Sequence, residues 1–168
     1  MLRTLIPLII DGLRRVVETF VIVLFFIMIT CILVQIAGRY VFNYSISGTE
    51  ELALFAQVWM VMMGCGIAMR FGRHVAVDVL VTNLPIPLAR ILNVFIGLGC
   101  IWFLYIVLAG AIPLVRIGFI ETAPGLGISM WPIYLSLIVG ASYFAIEVVL
   151  WIARRWDDPY QKHETREK

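Results

Sequence analysis

The residues best suited to chemistry crowd into MRFGRHVAVDVL, positions 69–80. Eighteen uncharged residues, Leu52 to Met69, lead up to Arg70, Arg73, His74 and Asp78. His74 and Asp78 are four apart, which puts both on one face of a helix. An imidazole beside a carboxylate can move a proton, supply half of a metal site or present charge to a partner. A second polar cluster, SGTEEL at 47–52, opens the same apolar run from its other end. Ser47 and Glu50 form an S-x-x-E capping box. Glu50 and Glu51 also sit where a helix dipole favours negative charge. The cap needs one glutamate. The other is placed to bridge to Arg39, which ends the preceding apolar run, and structural and partner-contacting roles both stay open for the pair. The last apolar run holds one acid, Glu147, which calls for a basic partner at its own depth, Arg70 or Arg73. Glu18 has Arg14 and Arg15 within a helical turn and needs nothing more distant.

The elements that position these groups follow from composition. The chain has 168 residues, 62% of them hydrophobic and 14% charged, with a mean hydropathy of +0.98. A soluble domain is about half apolar and about 25% charged, so this is a membrane protein. Crossing a bilayer takes roughly 20 apolar residues. Four stretches qualify, and the expected spans are about 16–38, 51–69, 90–115 and 132–152. With no water to satisfy peptide groups in lipid, each span is expected to be helical. The fold class is therefore all-α, with a four-helix transmembrane domain over 16–153. Residues 2, 5, 6, 9, 10, 13, 16 and 17 are apolar at helical spacing, which predicts an amphipathic helix over 1–15 lying in the membrane interface. The Asp11 interruption and the lack of a small-residue cleavage site argue that this segment is retained rather than a signal peptide. The tail at 154–168 mixes charge signs without an apolar period and is expected to be solvated.

Sidedness follows from Lys and Arg. Eleven of the thirteen fall in the N-terminal segment, the 70–90 loop and the C-terminal tail, and two in the loops beginning at Arg39 and Arg116. The positive-inside rule puts the eleven, and with them both termini, in the cytoplasm. Trp131 near the outer face and Trp151 and Trp156 near the inner one suit interfacial anchoring. The basic ends suit anionic lipid; nothing forms a nucleic-acid patch.

Several chemistries lack their residues. Cys31, Cys65 and Cys100 fall inside separate spans with no C-x-x-C pair, so packing suits them better than redox work. No span holds a histidine for haem. His74 and Asp78 are too few ligands for zinc, and no cofactor is expected. Internal repeats and clustered intramembrane charges, the marks of a self-sufficient carrier or channel, are not evident. The outer segment IGFIETAPGLGISM is apolar for a water-facing loop, as contact surfaces are.

In order, the chain has an arginine ending the first span, a Glu-Glu pair opening the second, glycines late in that span, then R-F-G-R-H-V-A-V-D and a Leu-Pro turn. This resembles the small Q-type membrane subunit of tripartite ATP-independent periplasmic (TRAP) transporters, over nearly the whole chain. The resemblance rests on Arg39, Glu50, Glu51, Gly64, Arg70, Gly72, His74 and Asp78. It implies a non-enzymatic scaffold in a bacterial inner membrane. The implied partners are a large multi-span elevator-type subunit driven by sodium and a periplasmic binding protein that delivers organic anions such as carboxylates. On that reading Arg70, Arg73, His74 and Asp78 fix a cytoplasmic turn and contact the large subunit or lipid headgroups. The competing readings are a four-helix redox or lipid-modifying enzyme with His74 and Asp78 as acid–base groups, and a free-standing small carrier or channel.

Overall fold

The computed structural model describes residues 2–44, 48–71 and 85–157, with side chains from residue 8 to 153 within those ranges except Ile86. Four α-helices follow one another: α1 Leu2–Val41, α2 Thr49–Arg70, α3 Ile86–Gly118 and α4 Trp131–Asp157. Each is long and apolar enough to cross a membrane. The described residues contain no strand, only one isolated bridge between Thr122 and Ser129.

The helices outrun the expected spans. α1 has 40 residues, about 60 Å at roughly 1.5 Å per residue, against a hydrocarbon core of about 30 Å. No break separates residues 2–15 from the span that follows. A 3.6-residue apolar period looks the same whether a helix lies flat or runs on, so the sequence pattern carries no signal for the join. α3 starts behind Pro85, whose extended backbone (φ −63°, ψ 148°) forms the N-cap, and it passes through Pro113 to Gly118. α4 continues as helix to Asp157.

The helices pack in a row, in the order α1, α2, α4, α3, and no other pair packs among the described residues. α2 and α4 run parallel, because Gly140 of α4 meets Met62 and Gly66 of α2 meets Tyr143. The fit is reciprocal, a large side chain from each helix lying over a glycine of the other. A Cβ at Gly66 would stand 2.4 Å from the Tyr143 ring, and one at Gly140 would stand 2.6 Å from Met62. Small residues of this kind let helices approach closely in lipid.

α4 is the spine of the row. Its Ala141, Val148 and Trp151 form a core with Met69 of α2 and Leu104 of α3. Its Tyr143 forms a second core with Val17 of α1 and Met63 of α2. Trp151 is therefore a core residue and not the interfacial anchor expected of it; α3 covers it where a simple hairpin would leave it at the surface. α3 also buries Asn93, whose side-chain amide meets no hydrogen-bond partner among the described residues.

Candidate functional site

Two polar clusters lie at the opposite ends of α2, each reaching α1 and the α4 side. At one end, α1, α2 and α4 bring five charged groups together. Glu147 is 1% exposed and lies four residues after Tyr143, on the α4 face turned to α2. Arg14 of α1 reaches it with a two-pronged grip: Nε donates to Oε1 at 2.8 Å and Nη2 to Oε2 at 2.6 Å. Tyr143 donates its hydroxyl to Oε1 at 3.3 Å. Asp11 lies 3.7 Å from Arg14 on the outer side. Beside this group Arg70 donates Nη1 to Glu18 Oε1 at 2.5 Å, and its guanidinium lies over the Phe71 ring at 4.9 Å.

These pairings correct two expectations. Among the described residues Glu147 is gripped by Arg14 rather than Arg70, and Glu18 is held by Arg70 and not by its helical neighbours; Arg73 lies outside the described residues. Both changes have one cause. The parallel α2–α4 seam brings Glu147 alongside the end of α2, and α1 packs antiparallel on α2, so Arg14 arrives at the same level. A buried carboxylate is tolerated only when paired and hydrogen-bonded. The fork of a guanidinium supplies both oxygens at once.

At the other end the two glutamates divide. Glu50 accepts from Gln35 Nε2 of α1, and Thr49 Oγ1 donates to Gln35 Oε1 at 3.1 Å. Glu51 turns the other way. Its two oxygens accept the backbone N–H groups of Gly125 and Leu126, each at 2.8 Å. Two successive N–H groups aimed at one carboxylate make a small anion nest. The segment that presents them is folded on itself: Ala123 N–H donates to Ile128 O, Gly127 N–H to Ala123 O, and Met130 N–H to Glu121 O. Gly127 sits at φ 66°, a left-handed value that glycine adopts without penalty.

The expected Arg39–Glu50 or Arg39–Glu51 bridge does not form; no such pair lies within 4 Å. The two glutamates are adjacent, so about 100° separates them around the helix, and each takes a partner on its own side. The helix N-cap is Gly48 at φ 98°, with no side-chain cap bond. Ser47, the expected cap, lies outside the described residues. A Cβ at Gly48 would stand 2.9 Å from the Leu126 side chain, so glycine is required there both by φ and by the close approach of the α3–α4 loop. Part of that loop is strongly exposed, Ile120 at 85%, while Phe119 stacks on Trp131 at 5.4 Å.

Gly72, Arg73, His74 and Asp78 lie outside the described residues. Gly64 is described and faces open space; the close helix approach belongs to Gly66. All three cysteines are free. Among the described residues no three of His, Cys, Asp and Glu gather as a metal site. Tyr143, Gly140 and Arg14 were missed as partners by sequence reasoning. The available signal was spacing: Gly140, Tyr143 and Glu147 fall on one helical face.

A family model described as tripartite ATP-independent periplasmic transporters, DctQ component, matches residues 28–158. The match takes in Arg39, Glu50, Glu51, Arg70 and Glu147, and it begins after Arg14 and Glu18. Over 124 residues the chain is 29% identical to the C4-dicarboxylate TRAP transporter small permease protein DctQ of Rhodobacter capsulatus. That alignment covers 68% of this chain and 52% of the relative, so the chain spans about half the length of that protein. A Haemophilus influenzae protein described as a TRAP transporter small permease is 26% identical over 121 residues, 71% of this chain and 73% of the relative. A second from the same organism is 27% identical over 126 residues. With four apolar helices and a family match across most of its length, the chain belongs to the DctQ component family of tripartite ATP-independent periplasmic transporters.

Proposed function

We propose that this chain is the fixed, non-enzymatic small membrane subunit of a TRAP-type transporter. It widens the static platform on which a large multi-span subunit carries out an elevator-type, sodium-coupled uptake of organic anions such as carboxylates. A periplasmic binding protein delivers the substrate. The chain sits in a bacterial inner membrane with both termini in the cytoplasm, as the clustering of Lys and Arg supports. Gly72, Arg73, His74 and Asp78 then lie in the cytoplasmic connection between α2 and α3, where they contact the large subunit or anionic headgroups.

The observation that carries this reading is the row of helices. A layer one helix thick encloses no path of its own, and among the described residues two ion pairs, Arg14–Glu147 and Arg70–Glu18, tie helix to helix. Such a layer is suited to holding another membrane protein. Purification of the tagged chain in mild detergent, followed by mass measurement of the intact complex, tests it. A stoichiometric partner with about a dozen spans is the expected result. A partner-free monomer or homo-oligomer overturns the reading.

A further inference from the structure

The two ends of the row present different surfaces to the membrane. The outward face of α3 is apolar and aromatic, built around Phe95, Leu98, Trp102 and Tyr105 with a notch at Gly99. The groove between α1 and α2 differs. It is a cleft of about 400 Å³ whose walls include Ile32, Ile36 and Leu54 but also Arg39, Glu50 and Gln57. Arg39 and Gln57 are both exposed, and among the described residues neither has a hydrogen bond or an ion pair. Gln57 is seven residues past Glu50, about 10 Å further along α2 at roughly 1.5 Å per residue.

Resting on the reading above, we propose that the α1–α2 groove is the docking site for one transmembrane helix of the large subunit. That helix presents a carboxylate to Arg39 near the outer end and a hydrogen-bonding side chain to Gln57 about two turns deeper. The outward face of α3 is left to lipid. A polar side chain turned to hydrocarbon is costly and is met in membrane proteins by a neighbouring helix. A phospholipid fits less well. Its phosphate would answer Arg39, but its acyl chains offer Gln57 nothing. Glu50 is engaged by Gln35 and makes no ion pair with Arg39, so the guanidinium donors of Arg39 stay open to a carboxylate. The apolar residues between the two polar groups, Ile36 at 48% and Leu54 at 49% exposed, supply the packing surface.

The test uses the whole complex in its native membrane. A photo-cross-linking amino acid is placed at Leu54 and, separately, at Trp102 on α3. Cross-linking to the large subunit from Leu54 is expected to exceed that from Trp102 at least tenfold. Comparable or greater yield from Trp102, or cross-linking of Leu54 to lipid alone while the large subunit co-purifies, overturns the assignment. In parallel, Arg39→Leu with Gln57→Leu is expected to lower co-purified large subunit at least tenfold while the variant chain keeps its own helicity and melting temperature. Undiminished co-purification overturns the proposal. Failure of the unmodified chain to bring down any large subunit is a separate result, and it overturns the transporter-subunit reading instead.

Discussion

The two ends of the helices solve the same problem with different chemistry. At the Arg14 end, carboxylates are met by arginine side chains from other helices, and the carboxylate of the main pair is buried. At the Glu51 end, the carboxylate is met by backbone N–H groups of a folded loop. A side-chain pair depends on helices holding their register along tens of ångströms, whereas a backbone nest depends only on the local shape of its loop. The first end thus locks helix to helix, and the second locks loop to helix.

That contrast can be broken most forcefully at Glu147. Arg14→Ala strips the buried Glu147 carboxylate of its forked cation and is expected to destabilise the chain by about 3–5 kcal/mol, read by denaturant or thermal unfolding in detergent. Arg14→Met combined with Glu147→Leu should recover most of that loss, since an apolar pair of similar volume serves a buried site as well. If the double variant is as unstable as the single, the charge is not what holds the end together. At the opposite end Glu51→Ala removes two charge-assisted hydrogen bonds, with an expected cost of about 1.5–3 kcal/mol. Amide exchange at Gly125 and Leu126 should accelerate while amides of the α2–α4 seam stay protected. Acceleration along both would show that the ends are not independent.

Gly48→Ala tests the same loop through sterics. It forces a Cβ into a left-handed conformation and against Leu126, at a cost of about 1–2 kcal/mol. The smallest effect is expected from Glu18→Gln. Its partner Arg70 is close, but Glu18 is 38% exposed, so solvent screening holds the loss below about 1 kcal/mol. A loss as large as that of Arg14→Ala would mean that the two ion pairs act as one unit.

What the sequence revealed and hid follows the same division. Long uncharged runs between arginines and glutamates announce spans, because lipid enforces helix and hydrophobicity together; the four helices were legible that way. The need of Glu147 for a basic partner was legible too. Which arginine answers was not, because Arg14, Arg70 and Arg73 all belong to the same side of the membrane by charge. Choosing among them requires the order α1, α2, α4, α3, and hydropathy does not encode neighbours. The two glutamates posed a similar problem. Their helix position was readable, but Gln35 and the amides of Gly125 and Leu126 were not, since a backbone nest leaves no mark in side-chain identity. Trp151 misled for a related reason: a tryptophan near a span end is an anchor or a core residue according to what packs beside it.

The single layer of helices has a consequence for the surrounding lipid. Taking each helix as about 10 Å across, a row of four has a perimeter of about 100 Å in the membrane plane, while a two-by-two cluster has about 80 Å. A flat partner laid along the row covers about 40 Å of its edge, against about 20 Å for the cluster. A flat molecule therefore orders more boundary lipids when alone and frees more of them on assembly. Release of those lipids favours association without any additional polar contact.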